Sequence, residues 1–511
     1  MKYLLKTLCL CATVYAGVNA AHAAEEDTTL DETKQLIWKA AHVTPHDRQV
    51  AWQELEYAAY AIYGMPTYHG GVEWGTGNED PRSFNPTEFD ARQWMKIYKD
   101  AGMKHVIFMV KHCDGFCLWP SKYTDFSVKN SPWKDGKGDI VREVVDACRE
   151  FDLKIGFYIS PLDLHEPTYG TPAYDEFFKN QLQELLTEYG EITEVWLDGF
   201  YTGPKEDKHD YDWEGYYRIV RRLQPNAVIA VCGPDVRWVG NESGIGRETE
   251  WSVVPASIAD QEEVSKDFFE LFAIVPEGRS LDLGSRPKLS DASRLIWYPA
   301  ETNVSIRPNW FHRPSQDNQI KSVQQLLDLY YQSAGRNGLF LLGVPPAVNG
   351  LIHENDAKRL MEFRRVLDAI FNDNLALDAT ATASEVRGDN PAHGADRAVD
   401  DDKDTYWTTE DWTEEAELEL DLGEEKTFNV VLLQEQIRVG QRVEVFALEA
   451  WDGQKWNEFA RATTIGYKRL LRCNDVTTRK VRLKITGSRV CPTISNFGLY
   501  YEPPLEEILG E

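Results

Sequence analysis

Between Tyr60 and about residue 350, short apolar runs alternate with longer segments whose apolar residues return every three or four positions. The runs are 60–65, 106–110, 155–160, 194–197, 227–231, 294–298 and 339–344. Segments 89–101, 140–151, 174–189 and 211–223 carry the helical spacing. A short run that is apolar throughout suits a strand buried on both faces, and parallel neighbours need a crossover, usually a helix. About eight such units predict an α/β fold closed into a (β/α)8-like barrel. Residues 354–371 read as one more helix. After Asn372 the pattern changes to short alternating segments, 378–382, 416–422, 428–433, 443–451 and 480–485, separated by Gly, Asp and Asn turns. That is an all-β module, most simply a jelly-roll sandwich. The expected division is a barrel over 24–371 and a sandwich over 372–504.

Residues 1–23 read as an export signal. Met1-Lys2 is positive, residues 4–18 are mostly apolar, and Ala21-His22-Ala23 has small residues at both specificity positions. The expected destination is the periplasm or the medium. That apolar run is short and broken by Lys6, and no later segment is long and apolar enough to span, so no transmembrane segment is expected. A formal net charge of −28 repels phosphate backbones and argues against a nucleic-acid partner. Cys113, Cys117, Cys148, Cys232, Cys473 and Cys491 are too scattered for a disulfide framework; a Cys473–Cys491 pair stays open. His112, Cys113 and Cys117 fit no common zinc spacing.

The sharpest local feature is Glu194-Val-Trp-Leu-Asp198-Gly199, a strand that ends in an aspartate and a glycine turn. Barrel chemistry sits at the carboxyl ends of strands, so Asp198 stands where a reacting group belongs. A helix cap or turn is the other reading. A second acid, Glu242, lies in the loop after 227–231, on the face expected for Asp198. Glycoside hydrolysis needs such a pair, one carboxylate ionised and one carrying a proton. By pattern alone Glu242 can equally be a solvated loop acid.

Longer blocks carry a resemblance. Lys111-His112-Cys113-Asp114-Gly115-Phe116, Val195-Trp196-Leu197-Asp198-Gly199, Trp297-Tyr298-Pro299-Ala300-Glu301, Ser305-Ile306-Arg307-Pro308-Asn309-Trp310-Phe311 and Ser333-Ala334-Gly335-Arg336-Asn337 are similar to motifs of the family-29 α-L-fucosidases. The loop from Arg237 to Glu242 resembles the subfamily acting on α-1,3 and α-1,4 branches. The resemblance implies a retaining exo-glycoside hydrolase that needs no cofactor and acts on an oligosaccharide or glycoconjugate. Asp198 is then the nucleophile and Glu242 the acid/base. Glu73 and Trp74 grip sugar hydroxyls, and His112, Cys113, Ile62, Tyr158, Trp196, Trp238, Glu301, Arg307, Trp310 and Phe311 line the pocket.

Two positions depart from that family. Ile62 and Cys113 stand where it carries histidines that contact fucose hydroxyls. Neither replaces an imidazole as a hydrogen-bonding group. The sugar is therefore expected to be fucose or a related one, O-substituted or L-galactose-like. A non-catalytic glycan-binding paralogue is the alternative, and sugar transfer would share the same intermediate. Residues 372–503 resemble a discoidin-type, galactose-binding-like domain through Asp400…Thr405-Tyr406-Trp407. That likeness implies a structural calcium near Asp400 and Thr405, with Trp407 in the core. Oligomeric state is not legible.

Overall fold

The structure, a computed structural model, describes residues 32–199, 209–259, 282–377 and 379–510. The expected export signal, residues 1–23, lies outside the described residues.

Eight parallel strands form the barrel: β1 (Tyr57–Ala61), β2 (His105–Lys111), β3 (Lys154–Ile159), β4 (Glu194–Leu197), β5 (Val228–Val231), β6 (Arg237–Trp238), β9 (Ala300–Ser305) and β10 (Gly338–Gly343). Their order is β5-β4-β3-β2-β1-β10-β9-β6, and a parallel bridge from Ala230 to Val236 nearly closes the ring. β7 (Val253–Pro255) and β8 (Leu295–Trp297) form a separate antiparallel pair. Three of the crossover helices start where aspartates cap free N–H groups. Asp90 accepts from Arg92 and Gln93 before Ala91–Asp100, Asp139 from Arg142 before Ile140–Glu150, and Asp212 from Gly215 before Trp213–Leu223.

Three expectations need correction. The first strand ends at Ala61, so Ile62 lies just past its tip and Met65–Tyr68 is a helical turn. The apolar run 294–298 contains β8, outside the barrel; the barrel strand is the more polar β9 that follows. No helix links β5 to β6. Val231 adopts φ 66, a left-handed conformation that strains a β-branched residue. Its N–H bonds Val236 O at 3.0 Å and starts a tight return that lays β6 beside β5. This return sets the position of the loop bearing Glu242.

The C-terminal domain is an antiparallel sandwich in the order β12-β17-β13-β16-β14-β15, with β11 on β13. Its strands are β11 (Thr380–Ala383), β12 (Trp407–Thr408), β13 (Ala416–Glu435), β14 (Val443–Trp451), β15 (Trp456–Thr463), β16 (Arg469–Ser488) and β17 (Thr493–Tyr500). The segments 416–422 and 428–433 are one strand, bent by irregularities near Asp421 and Phe428. Such bulges bend a strand without ending it. Trp407 is fully buried in this core and donates Nε1 to Glu385 O at 2.9 Å. Val430, Leu432, Leu470 and Tyr500 pack into the barrel's own apolar core, and Lys468 Nζ reaches Glu56 Oε2 at 2.5 Å. The sandwich therefore braces the barrel.

Candidate active site

A cavity of about 420 Å³ opens at the carboxyl ends of the barrel strands. Alternate residues of a strand share a face, so Glu194, Trp196 and Asp198 rise in a column on the inner side of β4. Asp198, one residue past the strand, is half-buried and lines the cavity. Tyr158 on β3 donates its hydroxyl to Asp198 Oδ2 at 2.7 Å. Tyr158 and Trp196 are paired in register, with ring centroids 5.0 Å apart, and together with Tyr60 they make an aromatic floor.

Glu242, on the loop that follows β6, also lines the cavity, with part of its side chain open to solvent and part covered by protein. Desolvation by the surrounding protein pushes its carboxyl above the usual range. A hydrogen bond from Trp310 opposes this, and the charges of Glu73 and Asp198 add to it. Trp238 on β6 donates Nε1 to Asn303 Oδ1 at 2.7 Å. Glu73 Oε1 accepts from Asn309 Nδ2 at 3.0 Å, and Trp74 beside it is 42% exposed at the mouth. Gly75 lets this loop lie against the second strand's loop, since a Cβ there would sit 2.5 Å from Cβ of Asp114. His112 is wedged between Tyr158 and Phe311 at 6.1 and 5.4 Å. Burial lowers its pKa to about 4, so it presents a neutral imidazole with one donor and one acceptor. Ile62 lines the cavity together with Met109 and Val231 as its aliphatic part.

Three residues expected at the sugar are not on the cavity wall. Cys113 follows His112 but is buried behind it, its Sγ 3.5 Å from His112 Nδ1. Glu301 lies below the floor and accepts Trp196 Nε1 at 2.5 Å. Arg307 is buried, with Nε on Asp356 and an Nη on Asp317, both at 2.9 Å. A buried guanidinium needs such partners, and here they anchor the loop that bears Trp310 and Phe311. Arg307→Ala is therefore expected to destabilise the fold by about 3–5 kcal/mol, because it strands the buried Asp356 carboxylate. Denaturant unfolding monitored by circular dichroism checks this.

Tyr60, Met109, Asn241 and Asn303 also line the cavity, although none was singled out as a site residue by the sequence. Two had a signal in strand periodicity. Tyr60 precedes Ile62 by two residues, and Asn303 follows Glu301 by two.

The two residues expected at calcium, Asp400 and Thr405, lie together, and Thr405 Oγ1 also meets the carbonyl oxygens of Asp402 and Arg397 at 3.0 and 3.4 Å. Asp400 accepts Thr405 Oγ1 at 2.8 and 3.0 Å and the Asp402 N–H at 3.0 Å, and it faces the Arg397 guanidinium at 3.4 Å. Among the described residues no group of three His, Cys, Asp or Glu could hold a metal. Cys473 and Cys491 are both free thiols.

Against this geometry stand the comparisons with known proteins. The model of the family described as "Alpha-L-fucosidase" matches residues 17–369. The chain belongs to the α-L-fucosidase family of glycoside hydrolases. Residues 397–483 match the NedA-like, galactose-binding domain. Alpha-L-fucosidase 1 of Arabidopsis thaliana is 42% identical over 467 residues, covering 90% of this chain and 87% of that one. A putative α-L-fucosidase crystal structure from Bacteroides ovatus superposes with a TM-score of 0.81 at 42% identity, covering 93% of this chain and 77% of that one. A GH29 fucosidase of Ruminococcus gnavus, solved in complex with fucose, gives a TM-score of 0.80 at 32% identity, covering 91% and 96%. The fucosidase barrel thus spans the whole cavity described above.

Proposed function

We propose that this chain is a retaining exo-α-L-fucosidase working by double displacement. The observation that carries the reading is the pair Asp198 and Glu242 lining one sugar-sized cavity, close enough for the charge of Asp198 to bear on Glu242. Asp198 attacks the anomeric carbon while Glu242 gives its proton to the departing glycosidic oxygen. The glycosyl ester on Asp198 is then opened by water. Glu242, now a carboxylate, takes the water's proton as its oxygen bonds the anomeric carbon. The Tyr158 hydroxyl stabilises the ionised form of Asp198 and aims it. The aromatic floor closes the cavity below, which supports attack on a terminal sugar.

Hydrolysis of an aryl α-L-fucoside followed by proton NMR tests this. The first product should be the α-anomer; β-fucose as first product would contradict it.

The sugar is fucose or a close relative. An aliphatic wall of Ile62, Met109 and Val231 suits the methyl group of a 6-deoxy sugar. A hydroxyl there would lose its partner at a cost of about 1–3 kcal/mol. The expected preference for an aryl L-fucoside over the L-galactoside is therefore roughly 5- to 150-fold in kcat/KM. An O-alkylated fucose fits the same wall and belongs in the same substrate panel. We also propose that the chain is exported, with cleavage after Ala23, which sequencing of the mature N-terminus reads directly.

A further inference from the structure

Beneath the aromatic floor two acids meet in the closed interior of the barrel. Glu194 opens β4 and Glu301 stands second in β9; both are fully buried. Each holds one indole. Trp52 Nε1 donates to Glu194 Oε2 at 2.7 Å, and Trp196 Nε1 donates to Glu301 Oε1 at 2.5 Å. Among the described residues the remaining oxygens, Glu194 Oε1 and Glu301 Oε2, have no hydrogen-bond donor, and the two carboxyl groups lie close enough that the charge of Glu301 bears on Glu194. Gly156, the partner of Glu194 on β3, leaves room for the Glu194 side chain, since a Cβ there would lie 2.9 Å from Cβ of Glu194.

Two bare carboxylates cannot share such a place, because among the described residues no Lys or Arg stands against either to offset their repulsion. His105 on β2 is the nearest base, with Nδ1 3.7 Å from Glu194 Oε2. Burial holds its pKa near 3, so it is neutral. Tyr60 from β1 and Asp235 from the β5–β6 return also face the pair, and neither brings positive charge.

We propose that Glu194 and Glu301 share one proton, and that Glu301 is thereby a positioning residue that sets the Trp196 indole in the floor of the sugar site. The proposal rests on the fucosidase reading above. Trp196 lies two residues before Asp198 on the same face of β4 and packs on Tyr158, whose hydroxyl holds Asp198. A tilted Trp196 therefore reaches the nucleophile through both neighbours.

Four variants of the full chain test this. In Glu301→Gln the side-chain oxygen still accepts from Trp196, and the amide nitrogen donates to Glu194, as the shared proton does. Its kcat/KM on an aryl α-L-fucoside should stay within about threefold of wild type. Glu301→Leu orphans the Trp196 N–H and one oxygen of Glu194, and kcat/KM should fall roughly 10- to 100-fold. Trp196→Phe removes the N–H that needs the acceptor. The double variant Trp196→Phe/Glu301→Leu should therefore lie within about threefold of Trp196→Phe alone. Glu301→Gln as damaged as Glu301→Leu, or losses that multiply in the double variant, would overturn the proposal.

Thermal unfolding gives a reading independent of turnover. A carboxyl that keeps its proton in the folded state loses that stabilisation as pH rises from its unfolded pKa through its raised folded one. Both members of the pair are raised, chiefly by burial. The Tm of Glu301→Gln should thus gain on wild type as pH rises, and a constant difference would overturn the shared proton. A wild type inert on fucosides would defeat the fucosidase reading instead, and leave this thermal result to decide the pair.

Discussion

Asp198→Ala loses turnover of an aryl α-L-fucoside, with kcat falling on the order of 10⁴-fold while the folded state survives. Asp198 lies past the end of β4 and is only half-buried, so truncating it opens no core cavity. On the proposed mechanism, what disappears is the group that bonds the anomeric carbon. Binding of free fucose should persist, because His112, Glu73 and the aromatic floor remain. A small anion such as azide can then enter the vacated space and attack in place of the carboxylate, giving the β-configured glycosyl azide. Steady-state kinetics with and without azide check both points. A glycan-binding protein without catalysis would show no turnover to lose.

Glu242→Gln should separate substrates by their leaving group. A natural disaccharide needs the proton of Glu242 and should lose about 10²–10⁴ in kcat/KM. A nitrophenyl fucoside leaves without that proton, so its first step should suffer far less. The pH profile gives a second signature. Desolvation, Glu73 and Asp198 hold the Glu242 carboxyl above the usual range, so it stays protonated to higher pH than a solvated glutamate. The alkaline limb of kcat/KM in the wild type should therefore lie above the ordinary carboxylate range and vanish in Glu242→Gln. Rates measured from pH 4 to 9 on both substrates provide the check.

Legibility in the sequence followed hydrophobicity. Strands β2 to β5 and β10 are apolar runs bounded by turns, and they were readable as such. Asp198 was readable because a glycine turn follows directly on its strand. Glu242 was less so, because its strand is two residues long, Arg237 and Trp238, and hangs on the strained turn at Val231. β9 was missed for a functional reason. It reads Ala-Glu-Thr-Asn-Val-Ser, and its alternate polar residues Glu301 and Asn303 face the barrel interior, where Glu301 meets Trp196 and Asn303 meets Trp238. The apolar run before it, β8, took its place in the expected barrel. The family resemblance put Arg307 in the pocket, yet its partner Asp356 is 49 residues downstream, a separation no local pattern reveals.

Double displacement requires Asp198 to bond the sugar covalently. Incubation with 2-deoxy-2-fluoro-α-L-fucosyl fluoride slows release of the intermediate by disfavouring positive charge at the anomeric carbon. Peptide mass mapping should then find one deoxyfluorofucosyl unit added, on Asp198. A label on any other residue, or fluoride release with an inverted product and no label, would contradict the account.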